Sequence, residues 1–509
     1  ETRIRVLRAN GNFRAIGLEP GDHAVRFNYS PDSVKLGGLA SAMAVIATFI
    51  LLGVWIWRLF YRESAMKSKV RRVAKNSLTP MAFNLVNRSI DFVFAMFYLR
   101  ALGPGDAGNY ATAIVIVGWF DILTNFGLNT WLTREASRDR DHANRYLSNS
   151  TVLRLALGGL TFPVFVGAIV LYQRHTGALG NETVVAIMLL AFGMLFSSIS
   201  TGLSALFYAY EKAEHPAAIT SGTTFLKVAF GTIAIMSGYG FIGLAGVTIV
   251  VNVITMVILI VLARRILFKP RLELDPALQK QMVFDSFPLM LNHLLATLFF
   301  RIDIPMIRAI RGESEVGRYG AAYKFVDAFN IIPAFFTFAL FPIMSQQAKD
   351  DRLALARTYH LAIKLLVGTA LPLALISTFL AKPMVGLLGG REFLPDGALA
   401  LQLMVWSIPF GWINSVTNYL LVAIGQQRAL TRAFAIAVTF NIVINAIFIP
   451  QYGLRAAAIS TILSEIVIGA AFQWFVYRHL SPTPWVRLLW RLAVAICVMV
   501  VVTWLGSQL

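Results

Sequence analysis

Apolar runs of roughly 20 residues, one after another with short loops between them, constrain this chain more than any other feature. They fall near 78–99, 107–130, 150–172, 184–208, 218–238, 241–262, 287–310, 317–344, 361–381, 397–423, 431–450, 455–477 and 487–506, with one more from Leu36 to Phe60. Inside a bilayer the backbone must satisfy its own hydrogen bonds, so runs of this length are helices. The composition agrees: 57% of residues are hydrophobic and 14% charged, where a soluble chain carries about 25% charged residues. The expected fold class is an all-α polytopic membrane protein of about 14 spans.

Residues 1–36 read differently. Arg3 to Leu7 alternates, Glu19-Pro-Gly-Asp22 is a turn, and Ala24 to Tyr29 alternates again, which predicts a short external β-hairpin. The expected order is this hairpin remnant (1–36), an extra spanning helix (37–60) and a basic cytoplasmic linker (61–77), then six-helix bundles at 78–262 and 287–477. An amphipathic cytoplasmic linker (263–286) joins the bundles, and an extra helix closes the chain (478–509). In that linker Leu272, Leu274, Leu278 and Met282 predict a surface helix on the inner leaflet. The start at Glu1, with neither Met nor signal peptide, reads as processed or trimmed.

The two bundles follow from an internal repeat. Pro80-Met-Ala-Phe-Asn84, Arg100-Ala-Leu102 and Gly108-Asn-Tyr110 return as Pro288-Leu-Met-Leu-Asn292, Arg308-Ala-Ile310 and Gly317-Arg-Tyr319. The offset is 208 at Pro80, Asn84 and Arg100, and one extra loop residue makes it 209 at Gly108 and Tyr110. A second echo pairs Tyr239-Gly240 with Tyr452-Gly453. Six spans, an even number, separate the copies. Both therefore cross in the same direction, as a parallel pseudo-two-fold repeat about the membrane normal.

The chain carries 45 Lys and Arg against 26 Asp and Glu, a net charge of +19. With the basic stretch Tyr61 to Lys75 placed inside, every second loop is also rich in Lys and Arg, among them Arg134, Arg138, Arg264, Arg265, Lys269, Arg428 and Arg478. The opposite loops carry few. This positive-inside asymmetry accounts for much of the charge without nucleic acid.

Charges also stand where lipid should be, and a charge in mid-span costs a few kcal/mol unless it faces a cavity or a partner. Asn84, Asn87, Arg88 and Asp91 form one stripe in the first span of the repeat. Asp121, Lys227, Arg301 with Asp303, Lys324 with Asp327, and Glu465 follow in later spans. Arg88 with Asp91 and Lys324 with Asp327 have i,i+3 spacing, so they either neutralise each other within one helix or face a cavity. Lys227 and Glu465 have no such neighbour and point to a shared cavity; Asn441 and Asn445 read as helix-packing contacts. Basic residues lining a cavity imply an anionic cargo, and Arg and Lys together suit a diphosphate. The acids then balance charge at rest or bind a coupling proton or Na⁺.

Enzymatic readings find little support. The sequence contains no G-x-x-x-x-G-K-[ST] and no H-E-x-x-H, and the lone Cys497 cannot form an internal disulfide or metal cluster. No catalytic residue, metal or cofactor is expected.

Tyr98-Leu-Arg-Ala-Leu-Gly-Pro-Gly-Asp-Ala-Gly-Asn-Tyr110, Asp121-Ile-Leu-Thr-Asn-Phe-Gly-Leu-Asn129, Thr133-Arg-Glu-Ala-Ser-Arg138, Arg301-Ile-Asp303, Glu315-Val-Gly-Arg-Tyr-Gly-Ala-Ala322 and Ala423-Ile-Gly-Gln-Gln427 come in an order that resembles the polysaccharide (O-antigen type) flippases. These belong to the multidrug/oligosaccharidyl-lipid/polysaccharide exporter (MOP) superfamily. The resemblance implies two six-helix bundles that rock to give alternating access. It implies movement of an undecaprenyl-diphosphate-linked oligosaccharide from the inner to the outer leaflet of a bacterial cytoplasmic membrane. The substrate-binding set would be Arg88, Lys227, Arg301 and Lys324, and the ion-coupling set Asp91, Asp121, Asp303, Asp327 and Glu465. The expected partners are a lipid-linked sugar diphosphate, H⁺ or Na⁺, membrane lipids, and glycosyltransferase or polymerase proteins, with no nucleic acid. A cation-coupled multidrug exporter of the same superfamily and a non-transporting platform for a glycosyltransferase are the alternatives. Residues 1–60, through Phe13 to Phe27 and Tyr29-Ser-Pro-Asp-Ser33, resemble the C-terminal tail of a YfhO-type, glycosyltransferase-like membrane protein.

Overall fold

The computed structural model describes residues 7–9, 13–15 and 69–490 except 487 and 489. It divides into a small unit, Glu1–Thr48, and a large one, Phe49–Leu509. In the small unit the described residues form two strands, β1 (Leu7–Ala9) and β2 (Phe13–Ala15), antiparallel with Leu7 opposite Ala15. The pairing thus joins neighbouring segments and turns well before Glu19-Pro-Gly-Asp22. The expected arm at 24–29, the span at 37–60 and most of that at 487–506 lie outside the described residues.

The large unit runs through α1 (Lys69–Asn125), α2 (Leu128–Arg138), α3 (Ala143–Thr176), α4 (Asn181–Ala209), α5 (Glu214–Met236) and α6 (Gly240–Ile266). It continues through α7 (Pro276–Arg301), α8 (Asp303–Arg311), α9 (Glu313–Phe329), α10 (Ile331–Asp350), α11 (Arg352–Gly389), α12 (Asp396–Met404), α13 (Ile408–Ala423), α14 (Gln427–Tyr452) and α15 (Leu454–His479). Among the described residues, eleven helices are long and apolar enough to cross a membrane, which makes this a multi-pass membrane protein. Each expected span from 78–99 to 455–477 is helical over most of its length, with short breaks at 126–127, 237–238, 302 and 330.

As a straight rod α1 would reach roughly 85 Å, nearly three times the hydrocarbon core. It breaks at Gly103, whose φ of 71° and ψ of 178° are open only to glycine. Pro104 follows at the start of a helical segment, where its missing N–H costs nothing. The same break recurs 209 residues on, where Gly312 (φ 88°, ψ −178°) separates α8 from α9. The second echo repeats too: Gly240 and Gly453 have φ of 55° and 56°. The internal repeat is therefore a repeat of backbone geometry.

One group of helices packs α4 on α6 and α5 on α1, and the other packs α14 on α15 and α11 on α13. The groups meet chiefly where α9 runs along α1. Small residues make that approach possible, because van der Waals contact rather than hydrophobic burial holds helices together in lipid. A Cβ on Gly108 would lie 1.9 Å from the carbonyl oxygen of Glu313, and one on Gly317 would lie 1.9 Å from that of Pro104. Arg100 reinforces this end by donating to the carbonyls of Gly386 and Leu387 at the end of α11.

The linker departs from expectation. Residues 268–275 are extended rather than helical, and α7 begins only at Pro276. The segment lies as a strap on the first turns of α3. Asn144 exchanges hydrogen bonds with the N–H and carbonyl of Arg271, Ser148 accepts from the Glu273 N–H, and Asn149 joins the Glu273 carbonyl to the Asp275 N–H. Arg145 pairs with Asp275, which also caps α7 by accepting from Ala277 and Leu278 N–H at 3.0 and 3.2 Å. Leu272 and Leu274 alternate outward and stay exposed, whereas Met282 is buried against Leu128, Trp131 and Leu153.

Candidate anion site and the buried acids

The polar stripe of α1 lies beside the junction of α1 with α9, where Phe92 and Phe325 meet edge to face at 5.4 Å. Arg88 donates to Asn84 at 3.0 Å, within its own helix. Asp91 turns away from it. Its carboxylate pairs with Lys227 of α5 at 3.3 Å, and the two side chains remain 49% and 39% exposed.

A matching pair stands in the other group. Arg301, at the end of α7, meets both carboxylate oxygens of Asp327 on α9 at 2.9 and 3.2 Å. Its guanidinium lies 4.3 Å over the Tyr323 ring, and Tyr323 is fixed by donating to the Phe300 carbonyl at 2.9 Å. The i,i+3 neutralisation open to Arg88 with Asp91 and to Lys324 with Asp327 does not occur: each acid chooses a cation on a neighbouring helix.

Lys324 is left without a carboxylate. It lies within electrostatic reach of Tyr98, Asp327, Arg301 and Lys227. Among the described residues it makes no hydrogen bond or ion pair. The fold therefore gathers Lys227, Arg301 and Lys324 from both helix groups into one neighbourhood, with Asp91 and Asp327 beside them. Arg88 stands one turn from Asp91 on the same helix, with no contact to the other three cations.

The other three acids have no Lys or Arg at ion-pair distance among the described residues. Asp303 is buried between α7 and α8, where it accepts from the Tyr319 hydroxyl and from Ile304 N–H, the latter at 3.0 Å. Tyr319 in turn contacts Thr461 at 3.3 Å. Glu465 is buried on α15 and accepts from the Asn414 amide at 2.7 Å. Asp121 accepts from Asn125 at 2.8 Å. Asn441 and Asn445 tie α14 to Phe299 and Ser460, as packing contacts.

Sequence reasoning missed Arg154. It lies near the start of its apolar run, where a basic residue passes for an interfacial one. In the fold it is 1% exposed, donates to the Ser198 carbonyl at 3.0 Å and lies within electrostatic reach of Asp121. Among the described residues its Nε and Nη2 have no hydrogen-bond partner. Gly202 makes room for it, since a Cβ there would lie 2.3 Å from the guanidinium. No signal in the sequence marks that depth; the one cue available is its place inside an apolar run rather than in the loop before it.

Among the described residues, no three or more His, Cys, Asp or Glu side chains come together in a way that could hold a metal ion. Spanning helices around paired and unpaired cations suit a membrane transporter, and the families and relatives that follow are those of the MOP superfamily. The chain belongs to the polysaccharide biosynthesis protein family, whose model matches residues 73–347, and the MatE model matches residues 288–447. It is 23% identical to a putative O-antigen transporter of Shigella flexneri over 80% of this chain and 99% of that protein. It is 22% identical to a probable low-salt glycan biosynthesis flippase, Agl15, of Haloferax volcanii over 78% of this chain and 81% of that one. A probable multidrug resistance protein of Bacillus subtilis, YpnP, is 28% identical over 39% of this chain, and the match spans 46% of YpnP. Among solved structures, the lipid II flippase MurJ in an inward closed conformation superposes with a TM-score of 0.71 at 15% identity, covering 84% of this chain and 93% of that one. An inward-facing MATE family multidrug transporter gives 0.67 at 17% identity, covering 80% and 97%. These relatives are transporters and flippases, not enzymes.

Proposed function

We propose that this protein is a flippase that carries an undecaprenyl-diphosphate-linked oligosaccharide from the inner to the outer leaflet of a bacterial cytoplasmic membrane by alternating access. The observation that carries the reading is the meeting of Lys227, Arg301 and Lys324 at the junction of the two helix groups. Cations concentrated at mid-membrane are costly unless an anion visits them, and a guanidinium with two ammonium groups suits neighbouring phosphates. Arg88 completes the substrate-binding set from the α1 stripe.

The scaffold is two six-helix bundles, 78–262 and 287–477, related by the parallel repeat. With α1 divided at Gly103, the described residues supply twelve crossings. The contacts of Gly108, Gly317 and Arg100 close the end that the charge asymmetry assigns to the outside, so the site is reached from the inner leaflet. The inward-facing MATE structure superposes better than the outward-facing one, with a TM-score of 0.67 against 0.59, which supports that direction.

Asp121, Asp303 and Glu465 serve ion coupling, because each is a mid-membrane acid without a paired cation. A buried carboxylate in that position takes a proton or a cation or stays costly. A cation-coupled multidrug exporter is the second reading, supported by the MatE match and the Bacillus subtilis relative. The surplus of Lys and Arg over acid at the junction disfavours an organic cation as cargo.

The test is transport by the full chain in proteoliposomes. A fluorescent undecaprenyl-diphosphate-linked monosaccharide placed in one leaflet should reach a membrane-impermeant quencher on the other side only when the protein is present. Efflux of cationic dyes without movement of the lipid-linked sugar would replace this reading with the exporter.

A further inference from the structure

We infer that Asp91 and Asp327 are stand-in anions, carboxylates that occupy the site's cations between cargoes and that the diphosphate displaces on binding. This inference rests on the flippase reading above. It assigns these two acids to cargo exchange rather than to ion coupling.

Two such pairs stand at the site. There is one in each helix group, Lys227 with Asp91 and Arg301 with Asp327, and each bridges two helices. A structural ion pair in mid-membrane is expected to be sealed from solvent. These side chains are 39% and 49% exposed in the first pair and 32% and 39% in the second. A pair whose side chains are open on one side is held less firmly than one sealed inside a helix bundle, so an incoming anion can open it. Asp327 engages Arg301 through Nη2 alone, and a phosphate that meets two nitrogens of the guanidinium fork would outcompete it.

Charge bookkeeping fits a diphosphate joined to lipid at one end and to sugar at the other, which carries one negative charge on each phosphate. Arg88, Lys227, Arg301 and Lys324 set against Asp91 and Asp327 leave a surplus of two positive charges. The loaded site is then neutral, and each phosphate has one pair to open. A lipid monophosphate carries a similar charge near neutral pH but concentrates it on one phosphorus, so it can meet one pair and not both. When cargo leaves, the carboxylates close again on Lys227 and Arg301, and the empty carrier returns without four bare cations in mid-membrane.

Two consequences have the opposite sign to those of a structural pair. Removing the charge of either acid should tighten cargo binding, because the competitor is gone. It should also slow repeated turnover, because release and the empty return become harder.

The experiment uses the full chain in detergent micelles with two probes, undecaprenyl-diphosphate-linked N-acetylglucosamine and undecaprenyl monophosphate. Affinities are measured for the wild type, Asp91→Asn, Asp327→Asn and Asp91→Glu, with thermal melting as a folding control. Each Asn variant should bind the diphosphate probe about fivefold tighter than wild type and discriminate less against the monophosphate. Asp91→Glu should restore wild-type affinity. The same Asn variants should transport more slowly in proteoliposomes over many turnovers. Unchanged or weaker binding of the diphosphate probe by both Asn variants, with wild-type binding intact, overturns the stand-in role and leaves the flippase reading standing. Failure of the wild type to bind the diphosphate probe overturns both.

Discussion

Gly108 and Gly317, at matching places 209 residues apart in the two copies of the repeat, each press on the backbone of the other's loop. Gly108 covers the Glu313 carbonyl and Gly317 covers that of Pro104. Neither contact leaves room for a methyl group. Backbone cannot move aside as a side chain can, so closure of this end depends on the absence of two Cβ atoms.

Gly108→Ala or Gly317→Ala should therefore hold the outer end open. Overpacking of this kind costs about 1–3 kcal/mol, enough to shift a balanced pair of conformations by about fivefold or more. In a Cys497→Ser background, a cysteine placed at Tyr98 should react faster with an impermeant thiol reagent added outside once either alanine is present. Equal labelling with and without the alanine would show that the glycines do not set the outer closure.

The coupling acids separate from the stand-in acids by their response to ion gradients. Asp303→Asn and Glu465→Gln should make transport independent of a proton or Na⁺ gradient, with a loss of about tenfold or more in driven rate. Asp91→Asn should leave the dependence on the gradient in place. Measuring lipid-linked sugar movement with and without each imposed gradient distinguishes the two sets.

Much of this site was legible in the sequence, and the limits of that legibility have physical causes. The repeat and the mid-span charges could be read because a bilayer makes helices obligatory and charges conspicuous. The partners could not. Asp91 is as close in sequence to Arg88 as Asp327 is to Lys324, yet both pair across helices, and no local pattern records that α1 adjoins α5 or that α7 adjoins α9. The linker failed for a related reason. Leu272, Leu274, Leu278 and Met282 fit a helical stripe, but Pro270 and Pro276 break the segment and the side chains of Asn144, Ser148 and Asn149 take its backbone hydrogen bonds. Arg154 was hidden by depth alone.

That linker carries a pH prediction. Arg145, beside Asp275, holds its carboxyl below the ordinary carboxylate range, with the Leu278 N–H as a second cause. A depressed acid contributes stability that is fully present above its unfolded value and is lost as pH falls through its folded value. The strap should stay docked down to the ordinary carboxylate range and release below it. Pepsin, which favours Leu, should begin to nick the chain beside the exposed Leu272 and Leu274 only below the ordinary carboxylate range of about pH 4. Asp275→Asn should be nicked already above that range. Identical pepsin profiles for the two proteins would show that the ion pair does not hold the strap.

The central claim is that cations at the junction of the helix groups carry a lipid-linked diphosphate. Lys324 tests it most directly, because it alone of the three gathered cations has no carboxylate of its own. The decisive measurement is the initial rate of fluorescent undecaprenyl-diphosphate-linked sugar transfer in proteoliposomes, compared between wild type and Lys324→Ala at equal reconstitution. Loss of a charge-assisted contact to phosphate should lower the rate about tenfold or more, with Lys324→Arg retaining a substantial part of it. A Lys324→Ala protein that moves the lipid-linked sugar at the wild-type rate would contradict the account.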